Sequence, residues 1–319
     1  FLDLPRYTTG YAALFNTISY VTETHMLKPY ADQVKATGTF LKVMITFVNN
    51  NSAEINQVRK KADAAVIEQA SFGIQFSLDT TRCDSIVFKG YEARHKKSNV
   101  TGGERLYYDR TSPYKKKLAY YNYFNITAEG NKPFCYLIPK QWQQVIELLK
   151  LNGVTLKQFV KDTMIETEAT YITNFKSPQK PYEGHYLHSN VETRSEKQKI
   201  LFYKGDYAVL CNQPSNYFLI TALEPKSADS YFAWNFFDSV LQQKEWFNDY
   251  VFEDIAEKML KDDEEFNEEF TEYVHENKLE NDRWAQLAWI YHHSPYYEIT
   301  HNRYPVFRIN TPIALPVIE

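Results

Sequence analysis

One carboxylate near the start of the chain, Glu23, is placed like a functional residue. It follows a short apolar run of Ile18, Tyr20 and Val21, whose length suits a strand buried on both faces. A Lys-Pro step at residues 28–29 then opens a long helical pattern, because proline fits the first turn of a helix. Ligand-facing groups collect where strands end in open α/β sheets, and a carboxylate fixed there can transfer protons. The alternative interpretation is a solvated loop carboxylate.

Histidines offer two further candidate sites, and both patterns favour a structural role. His185 and His188 have metal-like spacing, but they follow Gly184 in a segment without a helical period, so their side chains need not converge. A second set surrounds Pro295 and is interpreted as a loop crossing the surface: His292, His293, Glu298 and His301. The sequence contains no HExxH, Walker A, GxGxxG or GxSxG motif, and we therefore predict no metal site in this chain.

Composition narrows the classes of partner. Apolar content of 44% and charged content of 24% are typical of a folded protein. A net charge of -4 gives no electrostatic footprint for nucleic acid, and no apolar run is long enough to predict a membrane span. Nine aromatic residues lie within 231–252, where core packing is the favoured interpretation and a stacking platform is the other. That second interpretation predicts a non-catalytic module binding peptide or glycan.

The elements around Glu23 form an incomplete α/β unit. Periodic apolar residues predict a helix from Pro29 to about Val48 and a second helix capped at Ser52. One strand cannot bury two helices, so residues 1–78 need a sheet that the rest of the chain does not supply. We expect this region to expose apolar surface or to be covered by another chain.

The remaining residues predict an α+β protein. Residues 79–225 read as a mostly antiparallel β domain with one or two helices. Its predicted elements are a helix from about Trp142 that stops at Asn152-Gly153, a short helix after Thr155, a long strand from Ile165 to Phe175, a hairpin at 201–210 and a strand at 216–223. Residues 226–319 read as a helical, aromatic-rich region packed on that domain. The acidic segment 252–283 keeps an amphipathic pattern, and Asp282 is placed to cap a last helix.

Strings spread over nearly the whole chain carry a family resemblance: PRYTTGYAAL (5–14), ETHMLKPY (23–30), YLIP (136–139), PYEGHY (181–186), LEP (223–225), WNFFD (234–238), QQKE (242–245) and SPYYE (294–298). They resemble the zinc carboxypeptidases, most closely a branch of exported bacterial carboxypeptidase A-like peptidases. The resemblance implies that residues 1–78 are the last strand and helices of an α/β catalytic sheet. It also implies that Glu23 is the general base, and that Tyr7 or Tyr11 is the substrate-binding tyrosine of the transition state.

The same resemblance implies that the zinc ligands lie elsewhere. The family holds zinc with an early His-x-x-Glu pair and a later His, all preceding the strand with the catalytic Glu, and this chain has no His-x-x-Glu. We therefore expect the chain to be the C-terminal portion of a longer enzyme, inactive alone and without bound zinc. Its expected partners are a peptide substrate and the missing N-terminal half of the catalytic domain. The expected location is periplasmic or secreted.

Overall fold

The computed structural model describes residues 2–318, which form a mixed α/β structure in two compact units. The helices are α1 (Thr8–Ala13), α2 (Tyr30–Asn50), α3 (Ser52–Glu68), α4 (Gln143–Leu151), α5 (Asn216–Leu223), α6 (Asp249–Asp262), α7 (Glu264–Glu276) and α8 (Arg283–His292). The strands are β1 (Ser71–Leu78), β2 (Asp84–Lys97), β3 (Glu104–Tyr120), β4 (Phe124–Asn131), β5 (Cys135–Ile138), β6 (Lys157–Phe159), β7 (Thr163–Lys176), β8 (Ser189–Phe202), β9 (Tyr207–Leu210), β10 (Phe307–Ile309) and β11 (Val317–Ile318). Every strand pair within residues 2–318 is antiparallel.

The first unit contains residues up to Lys132, together with Pro214–Thr221 and Ser227–Asp229. The two predicted helices are confirmed as α2, within two residues of its expected ends, and α3, although Asn51 rather than Ser52 is the N-cap residue and its side chain makes no capping hydrogen bond. Strand β1 pairs with β4. The two strands that lie between them in the sequence, β2 and β3, form a separate two-stranded hairpin. The Tyr217 ring at the start of α5 packs 5.2 Å from Phe72, and its hydroxyl donates to the Gly73 carbonyl at 3.1 Å.

The strand predicted at residues 18–22 is wrong. Residues 17–25 have no regular secondary structure, and Ile18, Tyr20 and Val21 are 56–62% exposed. An isolated apolar run needs a neighbouring strand to pair its backbone, and the described residues supply none here. The expected exposed apolar surface of residues 1–75 is confirmed, because α2 has no buried residue.

The second unit contains Pro133–Gln213, Ala222–Lys226 and the residues from Ser230 onward. Its seven-stranded sheet has the order β11-β6-β9-β5-β10-β7-β8. Its core includes Cys135, Leu137, Phe159, Phe202 and Phe307, all at most 3% exposed. Helix α4 buries Val145, Ile146 and Leu149 and ends as predicted, with Gly153 in the left-handed region at φ 74°.

Three local predictions in this part of the chain are wrong. The segment after Thr155 forms strand β6 rather than a helix, because its backbone pairs with β9 and β11. Strands β8 and β9 do not pair with each other, since β8 pairs with β7 and β9 pairs with β5 and β6. Residues 216–223 form helix α5 instead of a strand. A short, continuously apolar run fits either structure, so its periodicity cannot decide.

The acidic segment forms helices α6 and α7, as its amphipathic pattern predicted. Asp282 caps α8, because its carboxylate accepts from the Ala285 backbone N–H at 3.0 Å. Core packing, the favoured interpretation of the aromatic segment 231–252, holds for Phe237 and Phe247, which are at most 8% exposed, whereas Trp234 is half-buried and Trp246 is 42% exposed. The three sequence-based domains, 1–78, 79–225 and 226–319, stay a prediction.

Candidate functional site

Glu23 lies on the irregular segment that precedes α2, and its side chain is exposed. Its neighbours Thr22 and Thr24 line a groove of 540 Å³ together with residues of α2. The Thr24 hydroxyl lies 2.9 Å from the Thr37 hydroxyl, which ties this segment to α2. Glu23 is not among the groove-lining residues. The structure therefore places an accessible carboxylate beside an open groove.

His25 has a local structural role. Its ring Nδ1 accepts from the Leu27 backbone N–H at 3.1 Å, within the turn that leads into α2. At the start of α2, the Gln33 amide donates to the Lys28 carbonyl at 2.8 Å. These hydrogen bonds hold the turn that precedes α2, so the His25 side chain stabilises the start of this helix.

The two candidate tyrosines lie at α1, Tyr7 just before its first residue and Tyr11 within it. Tyr7 precedes the helix and its carbonyl accepts from the Tyr11 N–H at 2.8 Å. Their side chains are 37% and 44% exposed. The Tyr11 ring packs 5.2 Å from Phe15, which stacks 5.3 Å from Phe218 of α5. Both side chains are partly exposed, and the Tyr11 ring is held by its packing against Phe15.

The segment before α1 is fixed by close backbone approach and by an ion pair. A Cβ added at Gly10 would lie 2.2 Å from the Leu4 carbonyl oxygen, so only glycine fits this crossing. The Arg6 guanidinium pairs with the Asp229 carboxylate at 2.6 Å, and that carboxylate also accepts from the Arg6 N–H at 2.9 Å. Because the Asp229 side chain is 3% exposed, this pair is shielded from solvent.

The two histidines with metal-like spacing, His185 and His188, are each engaged with other protein groups. Buried His188 has one ring nitrogen 2.7 Å from the Ser177 hydroxyl and the other 2.9 Å from the Asp238 carboxylate. Both His188 nitrogens are therefore occupied, whereas His185 packs its ring 5.2 Å from Trp234. Within residues 2–318, no group of three or more His, Cys, Asp or Glu side chains is placed to hold a metal ion.

The set around Pro295 is held by local hydrogen bonds. His301 bonds through Nδ1 to the Tyr297 hydroxyl and through Nε2 to the Leu241 carbonyl. Burial and neighbouring His293 lower the pKa of His292, whereas the Lys244 N–H lowers the pKa of the Glu298 carboxyl. These contacts support the predicted loop.

Sequence reasoning missed a polar cluster formed by three residues of the second unit's sheet and the residue that follows α5. The Tyr136 hydroxyl donates to Glu224 Oε1 at 2.5 Å, and Arg308 reaches the same oxygen at 3.0 Å. Arg308 also lies 3.4 Å from Glu168. Burial raises the pKa of Glu224, although Arg308 and the Tyr136 hydroxyl oppose that rise. No sequence motif joins these residues, because four different segments supply them.

Comparison with known proteins links the chain to carboxypeptidases over a limited stretch. It is 30% identical over 101 residues to carboxypeptidase 2 of Trichophyton tonsurans and to that of Trichophyton equinum. It is 27% identical over 99 residues to a probable carboxypeptidase 2 of Arthroderma benhamiae. Each stretch covers about a third of this chain, and the chain spans 19% of these relatives' length. No family model matches the chain, and no solved structure matches it significantly.

The similarity supports a carboxypeptidase-like, peptidase-related chain. No helix within residues 2–318 is both long enough and apolar enough to cross a membrane.

Proposed function

We propose that this chain is the C-terminal portion of a zinc-dependent metallocarboxypeptidase of the carboxypeptidase A-like type, related to the exported bacterial branch. The partial identity to fungal carboxypeptidases carries this proposal. The proposed enzyme removes residues from the C-terminus of peptides and acts in the periplasm or outside the cell.

The exposed apolar surface of α2 supports the proposal that this region belongs to a larger catalytic domain. Val34, Leu41, Val43, Ile45 and Phe47 are each 53–68% exposed along one helix. Patches of this kind on a monomer normally mark a contact surface. The proposed occupant is the N-terminal half of the same catalytic domain, whose sheet would pack against α2.

Zinc enters the proposal through that other half. A bound zinc ion supplies a water of lowered pKa and polarises the scissile carbonyl. The side chains of residues 2–318 do not fit a zinc site, so we assign the ion to the proposed parent enzyme and derive no step through it.

Glu23 is the proposed general base, and the family resemblance of its surrounding string supports that role. Its carboxylate would accept a proton from the attacking water and return it to the departing amine. Tyr7 or Tyr11 would donate a phenol hydrogen bond to the peptide substrate, since both side chains are accessible at or next to α1.

The test is Glu23→Gln in the protein encoded by the complete reading frame. We expect kcat for release of a C-terminal residue from an N-blocked dipeptide to fall by about 10²–10⁴, with zinc content unchanged. Glu54→Gln is the matched control, because Glu54 is an exposed carboxylate in the first turn of α3. Turnover of the Glu23 variant within a few-fold of the control, with zinc retained, would return Glu23 to a loop carboxylate.

A second candidate function is a module that binds peptide or glycan without catalysis. The observation in its favour is an exposed aromatic pair: Trp246 and Trp284 stack at 5.9 Å and are 42% and 49% exposed. Such a surface can stack against a sugar ring. Titration with oligosaccharides and peptides, followed by tryptophan fluorescence, distinguishes the two functions. The binding module requires ligand binding that Glu23→Gln leaves unchanged.

A further inference from the structure

The hairpin formed by β2 and β3 is unusually long for a structure with no third strand. Its strands have 14 and 17 residues, and neither contains a buried residue. They pair only with each other among the described strands. Because a lone two-stranded hairpin is at best marginally stable in water, its length indicates that something else contacts it.

One face of this hairpin concentrates positive charge. In the antiparallel register, Lys89 lies directly opposite Lys115, and Lys117 lies opposite Val87. All three lysines are exposed, and no acidic residue occupies the same face between residues 85 and 91 or 113 and 119. Like charges directly opposite each other destabilise a strand pair, so an anionic partner would relieve this arrangement. We call this surface the basic face.

A groove in the second unit has the complementary character. It has a volume of 740 Å³ and is lined by apolar side chains of α6 and α7, including Ile255, Met259 and Phe266. Asp254, Asp262 and Asp263 also line it, together with one lysine, Lys258, so carboxylates outnumber ammonium groups three to one. Its volume falls in the usual range for ligand pockets, about 300–1,000 Å³, and is enough for several side chains. We call this surface the acidic groove.

We propose that the basic face of one molecule docks into the acidic groove of a second copy of this chain. Residues 84–120 carry nine Lys or Arg against four Asp or Glu, whereas residues 252–283 carry four against thirteen. The exposed apolar side chain of Val87, at 67%, and that of Tyr91, at 44%, give the basic face apolar area to match the groove. Two different surfaces meet in this contact, so it produces rings or open chains rather than a symmetric pair.

Salt dependence provides the first test. By sedimentation velocity, we expect the chain to associate at about 50 mM salt and to dissociate at about 500 mM, because salt screens exposed charges. Association through the exposed apolar surface of α2 would respond in the opposite direction. A monomer at all concentrations and low salt, or association that strengthens with salt, would overturn the proposal.

Two charge-reversal variants provide the decisive test. The hairpin variant is Lys89→Glu/Lys115→Glu/Lys117→Glu, and the groove variant is Asp254→Lys/Asp262→Lys. Asp263 is left in place because its carboxylate caps α7 by accepting from the Phe266 N–H. We expect each variant alone to be monomeric. An equal mixture should associate again, because the intact acidic groove of the hairpin variant meets the intact basic face of the groove variant, and their two reversed surfaces are also opposite in charge.

The control variant carries the same charge change elsewhere, as Lys28→Glu/Lys60→Glu/Lys61→Glu at three exposed positions. It should associate like the unaltered chain. Association of the mixture also shows that both charge-reversal variants are folded. Association of either single variant at the unaltered strength, or a mixture that stays monomeric, would refute the docking.

Discussion

Two fully buried tyrosines allow the Tyr136–Glu224–Arg308 cluster to be tested by removal of a single hydroxyl group. Tyr136 and Tyr304 are each 1% exposed. The Tyr136 hydroxyl donates to the Glu224 carboxylate at 2.5 Å, whereas the Tyr304 hydroxyl donates to the neutral Leu223 carbonyl at 2.8 Å. Substitution by Phe keeps each ring in place, so the two variants differ mainly in the charge of the acceptor.

The charge of the acceptor sets the expected magnitudes. Loss of a hydrogen bond to a charged group costs about 1.5–3 kcal/mol, and loss of a neutral one about 0.5–1.5 kcal/mol. Tyr136→Phe should therefore lower the free energy of unfolding by about 1 kcal/mol more than Tyr304→Phe at neutral pH. Arg308 still bonds Glu224 in the variant, which keeps the loss below that of an unpaired buried charge.

Acidification should narrow that difference. Burial raises the pKa of Glu224 above its ordinary 4.5, so as the pH falls toward 4.5 this carboxyl takes up a proton earlier than an ordinary Glu, and the Tyr136 bond then has a neutral acceptor. The Tyr136 hydrogen bond lowers the pKa of Glu224, so its contribution to stability grows as pH rises through that pKa. Urea unfolding followed by circular dichroism at neutral pH and near 4.5 measures both effects. Equal losses for the two variants at both pH values would refute the assignment of a charged acceptor.

Long periodic segments were predictable from the sequence because their apolar spacing records which face is buried. Helices α2, α3 and α4 and strand β7 lie where the periodicity placed them. Capping chemistry was equally informative, as Asp282 and Gly153 show. These signals are local, and the structure of each segment follows its own sequence.

Short apolar segments were not predictable, because their structure depends on partners distant in sequence. Residues 157–159 become a strand only through pairing with β9 and β11. The turn at Lys204–Asp206 was predicted, but the strands on either side of it do not pair with each other, because β9 pairs with β5 and β6. The buried Asp206 carboxylate accepts from the Lys140 N–H at 2.9 Å and so joins this turn to the end of β5.

The candidate site was predictable only in part for a related reason. Glu23, Tyr7 and Tyr11 were predicted as site residues from the family resemblance alone. No described strand supports the segment that carries Glu23. The Tyr136–Glu224–Arg308 cluster has no local signal in the sequence, because its members are 84 or more residues apart and meet only in the folded structure. The opposed lysines of the basic face likewise require the register of β2 and β3.

Three further measurements test the packing of Phe237, the capping of α8 by Asp282, and the proposed division of the enzyme between this chain and an N-terminal half that holds zinc. Phe237→Ala should lower the free energy of unfolding by about 3–5 kcal/mol, because this fully buried ring contacts Trp142 and Tyr304 at about 5 Å. Asp282→Ala should cost about 1 kcal/mol and Asp282→Asn much less, because Asn still caps a helix. The last measurement is zinc content and peptidase activity of residues 1–319 alone. We expect neither stoichiometric zinc nor release of C-terminal residues, because the side chains of residues 2–318 form no group able to hold a metal ion. Zinc bound one-to-one, together with carboxypeptidase activity that a chelator abolishes, would show that this chain carries its own catalytic centre and would contradict the proposed division.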